Sequence, residues 1–418
     1  MATTAATNPT PLIDAAKALE QEHVLQSYGR YNLMLERGKG CYVYDPENNR
    51  YLDFITGIGV NALGHGHPRL VKAMREQMGK MIHCSNLYYH HYQGPLAAKL
   101  AEISGLERVF FANSGTESIE LALKISKAYG RKQSPDKYEI IALNDSFAGR
   151  TLGAVSITGQ PKYREPYEPL IPGVKFIDPN DVAALEAAVN EKTCAIFFEP
   201  ILGEGGIVEI SRDFARKARE LADKFDALLV FDEIQCGLGR AGAYFAFQLW
   251  NRPTAEDPDP VHVYPDVLTA AKPLAGGLPL GAVVCNARAA AMITPGAHGS
   301  TFGGGPLTTR AALEFLDVMA ELLPMIKEHG TYFTRRLGEL AMKHDLVVGP
   351  RGKGLIVGLE LTEPGAWVVP AAQAKGLLLN CTAGKILRFL PPYIIERRHI
   401  DQAIAILDDV FTVGPPPK

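Results

Sequence analysis

An α/β fold with a mostly parallel central sheet, joined to a smaller α+β domain, is what this 418-residue sequence predicts. Three observations carry that reading. From about Leu106 to Asn286 short β-rich runs alternate with helical patterns, the signature of a parallel sheet flanked by helices. After Pro306 the pattern changes to one long helix and a set of short strands. The composition, 47% hydrophobic and 21% charged with a formal net charge of -3, is that of an ordinary globular chain long enough for two or three domains.

The elements follow in order. Residues 42–54, with Asp45-Pro46-Glu47-Asn48-Asn49 as a turn, predict a hairpin that joins the smaller domain. Strands are expected at 109–111, 139–143, 195–198, 227–231 and 281–285, and helices over 182–191 and 211–225, the latter with Phe214, Ala218, Leu221 and Ala222 at helical spacing. The Pro, Asp and Glu residues of 251–260 predict an exposed insertion loop. A long helix should run from Pro306 to about Glu328, with strands at 346–348, 354–361, 377–380 and 386–389 after it. The division that results is an N-terminal segment 1–60 joining the small domain, a large domain 61–306 and a small domain 307–418.

Several function classes are excluded. Basic residues are scattered, so no stripe for nucleic acid is expected. The six cysteines lie far apart without CxxC pairing, which points to reduced thiols rather than a zinc site. His65 and His67, in Gly64-His65-Gly66-His67-Pro68, lack helical metal-ligand spacing, and no metal is expected. No apolar run approaches the ~18 residues of a membrane helix. Residues 1–22 have neither a signal-peptide core nor the arginines of a transit peptide and include Asp14 and Glu20, so a cytoplasmic protein is expected.

The residues that carry chemistry begin with Lys272. It stands among small or apolar neighbours, Ala270, Ala271, Leu274, Ala275, Gly276 and Gly277, with Pro273 fixing the turn. A lysine where water is scarce has a lowered pKa, which suits imine exchange and work as a general base. Asp232 closes the apolar run Leu228-Leu229-Val230-Phe231, where a carboxylate requires a partner. Lysine and acid together read as a pyridoxal phosphate site, the lysine holding the aldehyde and the acid keeping the ring nitrogen protonated. Otherwise Asp232 caps a helix or pairs with Arg240. Gln235 can bond the ring's phenolic oxygen.

Asn113-Ser114-Gly115-Thr116-Glu117 lies between a strand and a helix start, where free N–H groups and the helix dipole favour a phosphate. The alternative is an N-cap by Ser114 or Thr116. Phe147 follows a strand and so stands at the carboxyl edge of the sheet, able to stack on a pyridine ring or simply to fill core. Arg150 can grip a carboxylate through two parallel hydrogen bonds, or form a surface salt bridge. Thr301 offers a hydroxyl in the loop His298-Gly299-Ser300-Thr301-Phe302-Gly303-Gly304-Gly305-Pro306, whose glycines permit close approach to a phosphate. Gly237-Leu238-Gly239-Arg240-Ala241-Gly242 fits the dinucleotide fingerprint GxGxxG. Residues 232–236 intervene between strand and first glycine, where the true motif turns directly into its helix. A nicotinamide-dependent oxidoreductase is the rival class.

The chain resembles the class III (ornithine-type) pyridoxal-phosphate aminotransferases from about Tyr28 to the final helix. The matching stretches are Arg37-Gly38-Lys39-Gly40, Tyr51-Leu52-Asp53-Phe54, the runs 57–68 and 147–159, Ser85-Asn86-Leu87-Tyr88-Tyr89, Glu199-Pro200-Ile201 with Gly203-Glu204-Gly205-Gly206, and Leu387-Arg388-Phe389-Leu390-Pro391-Pro392. Within that class the likeness is greatest to members acting on N-acetylornithine. The resemblance implies fold type I of the pyridoxal-phosphate enzymes and a homodimer with shared active sites. It implies that Lys272 binds the cofactor covalently, Asp232 and Gln235 bond its ring, Phe147 stacks on it, and Ser114, Gly115 and Thr116 bind phosphate, with Thr301 reaching the neighbouring subunit's phosphate. Tyr28, Arg150, Ser300, Glu204 and Arg388 are implied substrate binders. Glu204 would pair with Arg388 while a basic donor is bound and release it for an acidic keto acid. The implied reaction moves the terminal amino group of N-acetylornithine to 2-oxoglutarate, as in arginine biosynthesis. Ornithine, succinylornithine, 4-aminobutyrate and acylated lysine share that chemistry as donors. Two departures stand out: Ala148 where the class usually has histidine, and the insertion before Val261.

Overall fold

The computed structural model describes residues 11–253 and 262–416. Seven strands form the central sheet: β1 (Arg108–Ala112), β2 (Glu139–Leu143), β3 (Val174–Ile177), β4 (Thr193–Phe198), β5 (Leu228–Asp232), β6 (Val267–Ala270) and β7 (Gly281–Cys285). Their order is β1-β7-β6-β5-β4-β2-β3. β7 runs antiparallel to both its neighbours, and every other pairing that joins two strands directly is parallel. The α/β architecture is as expected, and β2 and β7 have the expected bounds. β3 and β6 have no counterpart in the expectations from sequence. Each is only four residues long, too short to show a period, and each is set by its neighbours in the sheet.

All residues of β4 and β5 are buried, as a sheet covered on both faces demands. Aromatic rings fill the space beside them: Phe198 lies 4.9 Å from Phe231, and Trp250 5.4 Å from Phe231, centroid to centroid. Helix α1 (Gly115–Gln133) follows β1, and helix α2 (Arg212–Lys224) precedes β5. In α2 the buried residues Phe214, Ala215, Ala218, Leu221 and Ala222 form one stripe, and Ser211 caps the helix by accepting the Phe214 N–H.

Helix α3 (Pro306–Lys343) runs well past the expected stop near Glu328. The buried series Ile326, Gly330, Phe333, Leu337 and Leu340 keeps helical spacing beyond Pro324, so tertiary burial outweighs the missing N–H of one proline. The hairpin Tyr42–Tyr44 and Arg50–Asp53 forms as expected, and Leu377–Leu378 pairs parallel to its second strand. Val347–Lys353, Ile356–Leu361, Ile386–Phe389 and Asn380–Thr382 build a separate antiparallel sheet. The single strand expected at 377–380 is thus two strands in two sheets. Of the insertion, residues 254–261 lie outside the described residues. At its base the Asn251 side chain bonds the Val263 backbone in both directions, at 3.2 and 3.0 Å.

Candidate active site

The carboxyl ends of β1, β2, β4, β5 and β6 all open on one cavity of ≈ 420 Å³. This is where the topology of an α/β sheet leaves room for a ligand. At the end of β1, Ser114 Oγ accepts the Glu117 N–H at 3.2 Å and caps α1. The cap and the phosphate cradle are compatible, because the first N–H groups of a helix have no carbonyl of their own. Gly115 and Thr116, at that start, line the cavity. The loop after β2 packs tightly on the same helix start: Gly149 has φ +140°, and a Cβ there would lie 1.9 Å from Thr116 Oγ1. The same Oγ1 accepts the Arg150 N–H at 3.2 Å.

Phe147, Ala148 and Arg150 also line the cavity. Tyr163 meets Phe147 edge-on, with centroids 6.2 Å apart. The Arg150 guanidinium lies 3.8 Å from the Tyr163 ring centroid and 5.6 Å from that of Phe147, so aromatic faces hold this arginine at the mouth. Ala148 turns its N–H away, to Thr158 Oγ1 at 3.0 Å.

Asp232 ends β5 and is buried. Its Oδ1 accepts both the Ile234 N–H (3.0 Å) and the Thr269 hydroxyl (3.1 Å). Arg240 is not its partner. That arginine donates to the Leu355 and Pro391 carbonyls and stacks on Tyr393, 4.6 Å from the ring centroid. Burial raises Asp232, with Lys272 pulling the other way. Lys272 opens a single 3-10 turn, Lys272–Ala275, just beyond β6. Its φ of +41° is a strained value for a side-chain-bearing residue, of the kind that persists where surroundings over-determine it. Burial lowers its pKa, Arg388 lowers it further, and Glu204, Asp232 and Glu199 act against this.

The far wall comes from the C-terminal sheet. Arg388, fully buried on Ile386–Phe389, donates from Nη1 to Glu204 Oε1 at 2.6 Å, to the Gly203 carbonyl at 3.1 Å and to Gln235 Oε1 at 3.2 Å, and from Nε to Asn380 Oδ1 at 3.2 Å. Burial opposes ionisation of Glu204, but the Arg388 charge wins and holds it below the usual carboxylate value. Both Glu204 and Gln235 line the cavity.

Ten of the residues predicted from sequence therefore meet in one place: Ser114, Gly115, Thr116, Phe147, Arg150, Glu204, Asp232, Gln235 and Lys272 on the cavity, with Arg388 behind them. Tyr28, Ser300 and Thr301 do not line it. Tyr28 and Thr301 are exposed, and Ser300 stands one residue back, its Oγ accepting from Asn113 Nδ2 at 3.1 Å. Sequence reasoning missed Asn113 and Glu199 on the cavity and Thr269 and Asn380 behind it. Glu199 stands inside a stretch that matches the class and Asn113 opens the turn Asn113-Ser114-Gly115-Thr116-Glu117; Thr269 and Asn380 have no signal outside the fold.

The glycine fingerprint fails on geometry. Residues 237–242 form successive turns, and the first helical element after them is the 3-10 turn Ala246–Leu249, so no helix N-terminus stands behind those glycines. His65 Nε2 pairs with Asp53 Oδ2 at 2.8 Å, and among the described residues no group of three or more His, Cys, Asp or Glu side chains is placed to hold a metal ion.

The family model described as "Aminotransferase class-III" matches residues 25–411. The chain belongs to the class-III aminotransferases. Among relatives of this aminotransferase, the acetylornithine aminotransferase of Aquifex aeolicus is 44% identical over 93% of this chain and 100% of its own length. That of Methanocaldococcus jannaschii is 45% identical over 94% and 97%. A crystal structure of the ornithine aminotransferase of Toxoplasma gondii, with partial occupancy of PLP at its active site, superposes with a TM-score of 0.88 at 32% identity, covering 98% of this chain and 96% of that one. Class-III aminotransferases are pyridoxal-phosphate enzymes, and the donor set here fits that group: a helix start for the phosphate, a buried acid for the ring nitrogen and a lysine of lowered pKa for the aldehyde. No helix among the described residues is long and apolar enough to cross a membrane.

Proposed function

We propose that this class-III aminotransferase moves the terminal amino group of N-acetylornithine to 2-oxoglutarate, giving N-acetylglutamate semialdehyde and glutamate. The observation that carries the two-substrate reading is the Arg388–Glu204 pair, 2.6 Å apart beside Lys272 and Asp232. With Glu204 in place, the arginine is neutralised and a donor without a distal acid is accepted. With Glu204 displaced, the guanidinium can take a carboxylate of the keto acid. The donor is supported by the names of the two relatives above.

Pyridoxal phosphate, when bound, supplies an aldehyde for the amine and a ring that stores the electrons released at the substrate carbon. Gly115 and Thr116, with Ser114 as cap, would hold its phosphate; Asp232 would hold the ring nitrogen and keep it protonated; Phe147 would cover one face of the ring. Gln235 has its Oε1 on Arg388, and an N–H of its amide would serve the phenolic oxygen. Lys272, kept unprotonated by burial, takes a proton at Nζ and returns it. Arg150 receives the donor's carboxylate. The panel that tests this pairs N-acetylornithine, ornithine, succinylornithine, 4-aminobutyrate and an acylated lysine with 2-oxoglutarate. Equal kcat/KM across the panel would sink the donor assignment.

A homodimer sharing its sites is part of the reading, with Thr301 reaching the partner's phosphate. Thr301 stands outside its own cavity, and beside it Phe302, Leu87, Tyr88 and Tyr89 are 66%, 84%, 69% and 103% exposed. The two segments are joined by Asn86 Nδ2, which donates to the Ser300 and Gly303 carbonyls. So large an exposed apolar group calls for a covering partner. Sedimentation showing a monomer at assay concentration would refute it.

A further inference from the structure

Glu199, the first residue after β4, is a buried carboxylate on the cavity wall to which the reaction above gives no task. Burial, then the neighbouring Asp232, raises it. Its two oxygens serve different walls. Oε1 accepts the Phe147 N–H at 3.0 Å, and Oε2 accepts the Gly203 N–H at 3.0 Å. Gly203 then passes its carbonyl to Arg388 Nη1 at 3.1 Å. The Gln235 side chain closes on the same junction, so that a Cβ at Gly203 would lie 2.0 Å from its Oε1 and push it aside.

We propose that Glu199 is a positioning residue that anchors Gly203, and through it the Arg388 guanidinium, to the Phe147 wall, so that only the Glu204 side chain moves when a dicarboxylate enters. The inference rests on reading Glu204 and Arg388 as the gate, and it explains how the gate opens without losing its frame. Once Glu204 leaves, Arg388 retains three acceptors: the Gly203 carbonyl, Gln235 Oε1 and Asn380 Oδ1. Two belong to side chains that rotate. The third is backbone, one residue before the moving glutamate, and Glu199 fixes it across a four-residue step by closing the loop 199–203 on itself.

The test uses the holoenzyme and the non-reacting dicarboxylate glutarate. In Glu199→Gln one oxygen still accepts an N–H while the new amide cannot accept the other, so one buried N–H loses its partner and glutarate should bind roughly 10-fold more weakly by calorimetry. The KM for 2-oxoglutarate should rise in parallel, with the amino-donor KM within about twofold of wild type, since the donor half-reaction does not use the freed Arg388. Gly203→Ala, which strains the same junction from the other side, should reproduce the selective loss if Glu199→Gln folds poorly. In an Arg388→Ala background the Glu199 change should add less than about twofold, because residues acting through one another are non-additive. Additive losses, equal losses for both substrates, or unchanged glutarate binding in both variants would overturn the assignment. If Arg388→Ala alone leaves glutarate binding unchanged while transamination persists, the gate reading fails, and the role of Glu199 with it.

Discussion

Asp232→Asn should stabilise the cofactor-free protein while disabling the enzyme. In the folded chain the carboxylate is buried, and its two donors both fall on Oδ1. An asparagine in the same rotamer keeps that oxygen and both hydrogen bonds, removes the charge and puts an NH2 group in place of Oδ2, to which no donor is assigned among the described residues. Several kcal/mol of desolvation, set against two bonds to a charged group of roughly 1.5–3 kcal/mol each, leave a net penalty on the order of 1–2 kcal/mol for the wild type. A chain of this length gains about 1 °C per kcal/mol, so Tm of the cofactor-free variant should rise by about 1–2 °C at pH 7.5. The sign with pH follows from the raised folded-state pKa. A carboxyl raised in the folded state binds its proton more tightly there than in the unfolded chain, so the wild type loses stability as pH climbs from the unfolded aspartate value to the folded one. The advantage of asparagine should therefore be full above the folded value and vanish below the unfolded one. With cofactor bound the balance reverses, because removing one partner of a buried pair costs about 3–5 kcal/mol, or roughly 10²–10⁴-fold in kcat. Scanning fluorimetry of the cofactor-free protein at several pH values and single-turnover kinetics of the loaded one read both effects. A variant less stable than wild type at pH 7.5, or one retaining kcat within threefold, would refute the reasoning.

Three further outcomes are expected. Lys272→Ala should lose the yellow colour that borohydride bleaches in the wild type, and its transamination rate should fall at least ~10³-fold, read by absorbance and a coupled glutamate assay. Glu204→Gln should lower the KM for 2-oxoglutarate about 3- to 10-fold and raise that of the amino donor, because the keto acid no longer displaces a charged competitor from Arg388; steady-state kinetics with each substrate varied decide this. Gly130→Ala would place a Cβ 2.1 Å from the Lys137 carbonyl oxygen and 2.5 Å from Cys194 Cβ, so overpacking of about 1–3 kcal/mol should lower Tm with kcat unchanged.

Much of the large domain was legible because β2, β4, β5 and β7 are long apolar runs bounded by turn residues, and burial on both faces is a property of composition. β3 and β6 were not, since four-residue strands acquire their state from neighbours. The site divides the same way. Lys272 and Asp232 announce themselves locally, one in a small-residue turn and the other at the end of an apolar strand. Arg388 meets Gln235 and Glu204 across 153 and 184 residues of sequence, so the roles of Arg388 and Glu204 came from resemblance, and Asn380 and Thr269, which only hold others in place, left no local mark. Residue 148 lies between these cases: its alanine lines the cavity, but its backbone N–H, not its side chain, makes the bond that fixes the loop, so the departure from the usual histidine leaves that bond intact.

Three buried carboxylates lie close together in this wall, and their partners separate structure from chemistry. Glu233 accepts the Ala246 and Phe247 N–H groups at 2.8 Å, one on each oxygen, and the Cys236 thiol at 3.4 Å. Glu199 likewise has a backbone N–H on each oxygen. Both are satisfied by protein alone: burial raises both, and the backbone N–H groups on their oxygens act against it. Asp232 differs. Both its bonds fall on Oδ1, and among the described residues no donor is assigned to Oδ2. A buried carboxylate half served by protein, beside a lysine on the same cavity, is the one of the three that gains most from a cation brought in from outside. That asymmetry in hydrogen bonding, more than the presence of an acid in an apolar strand, is what makes Asp232 the seat of a protonated ring nitrogen.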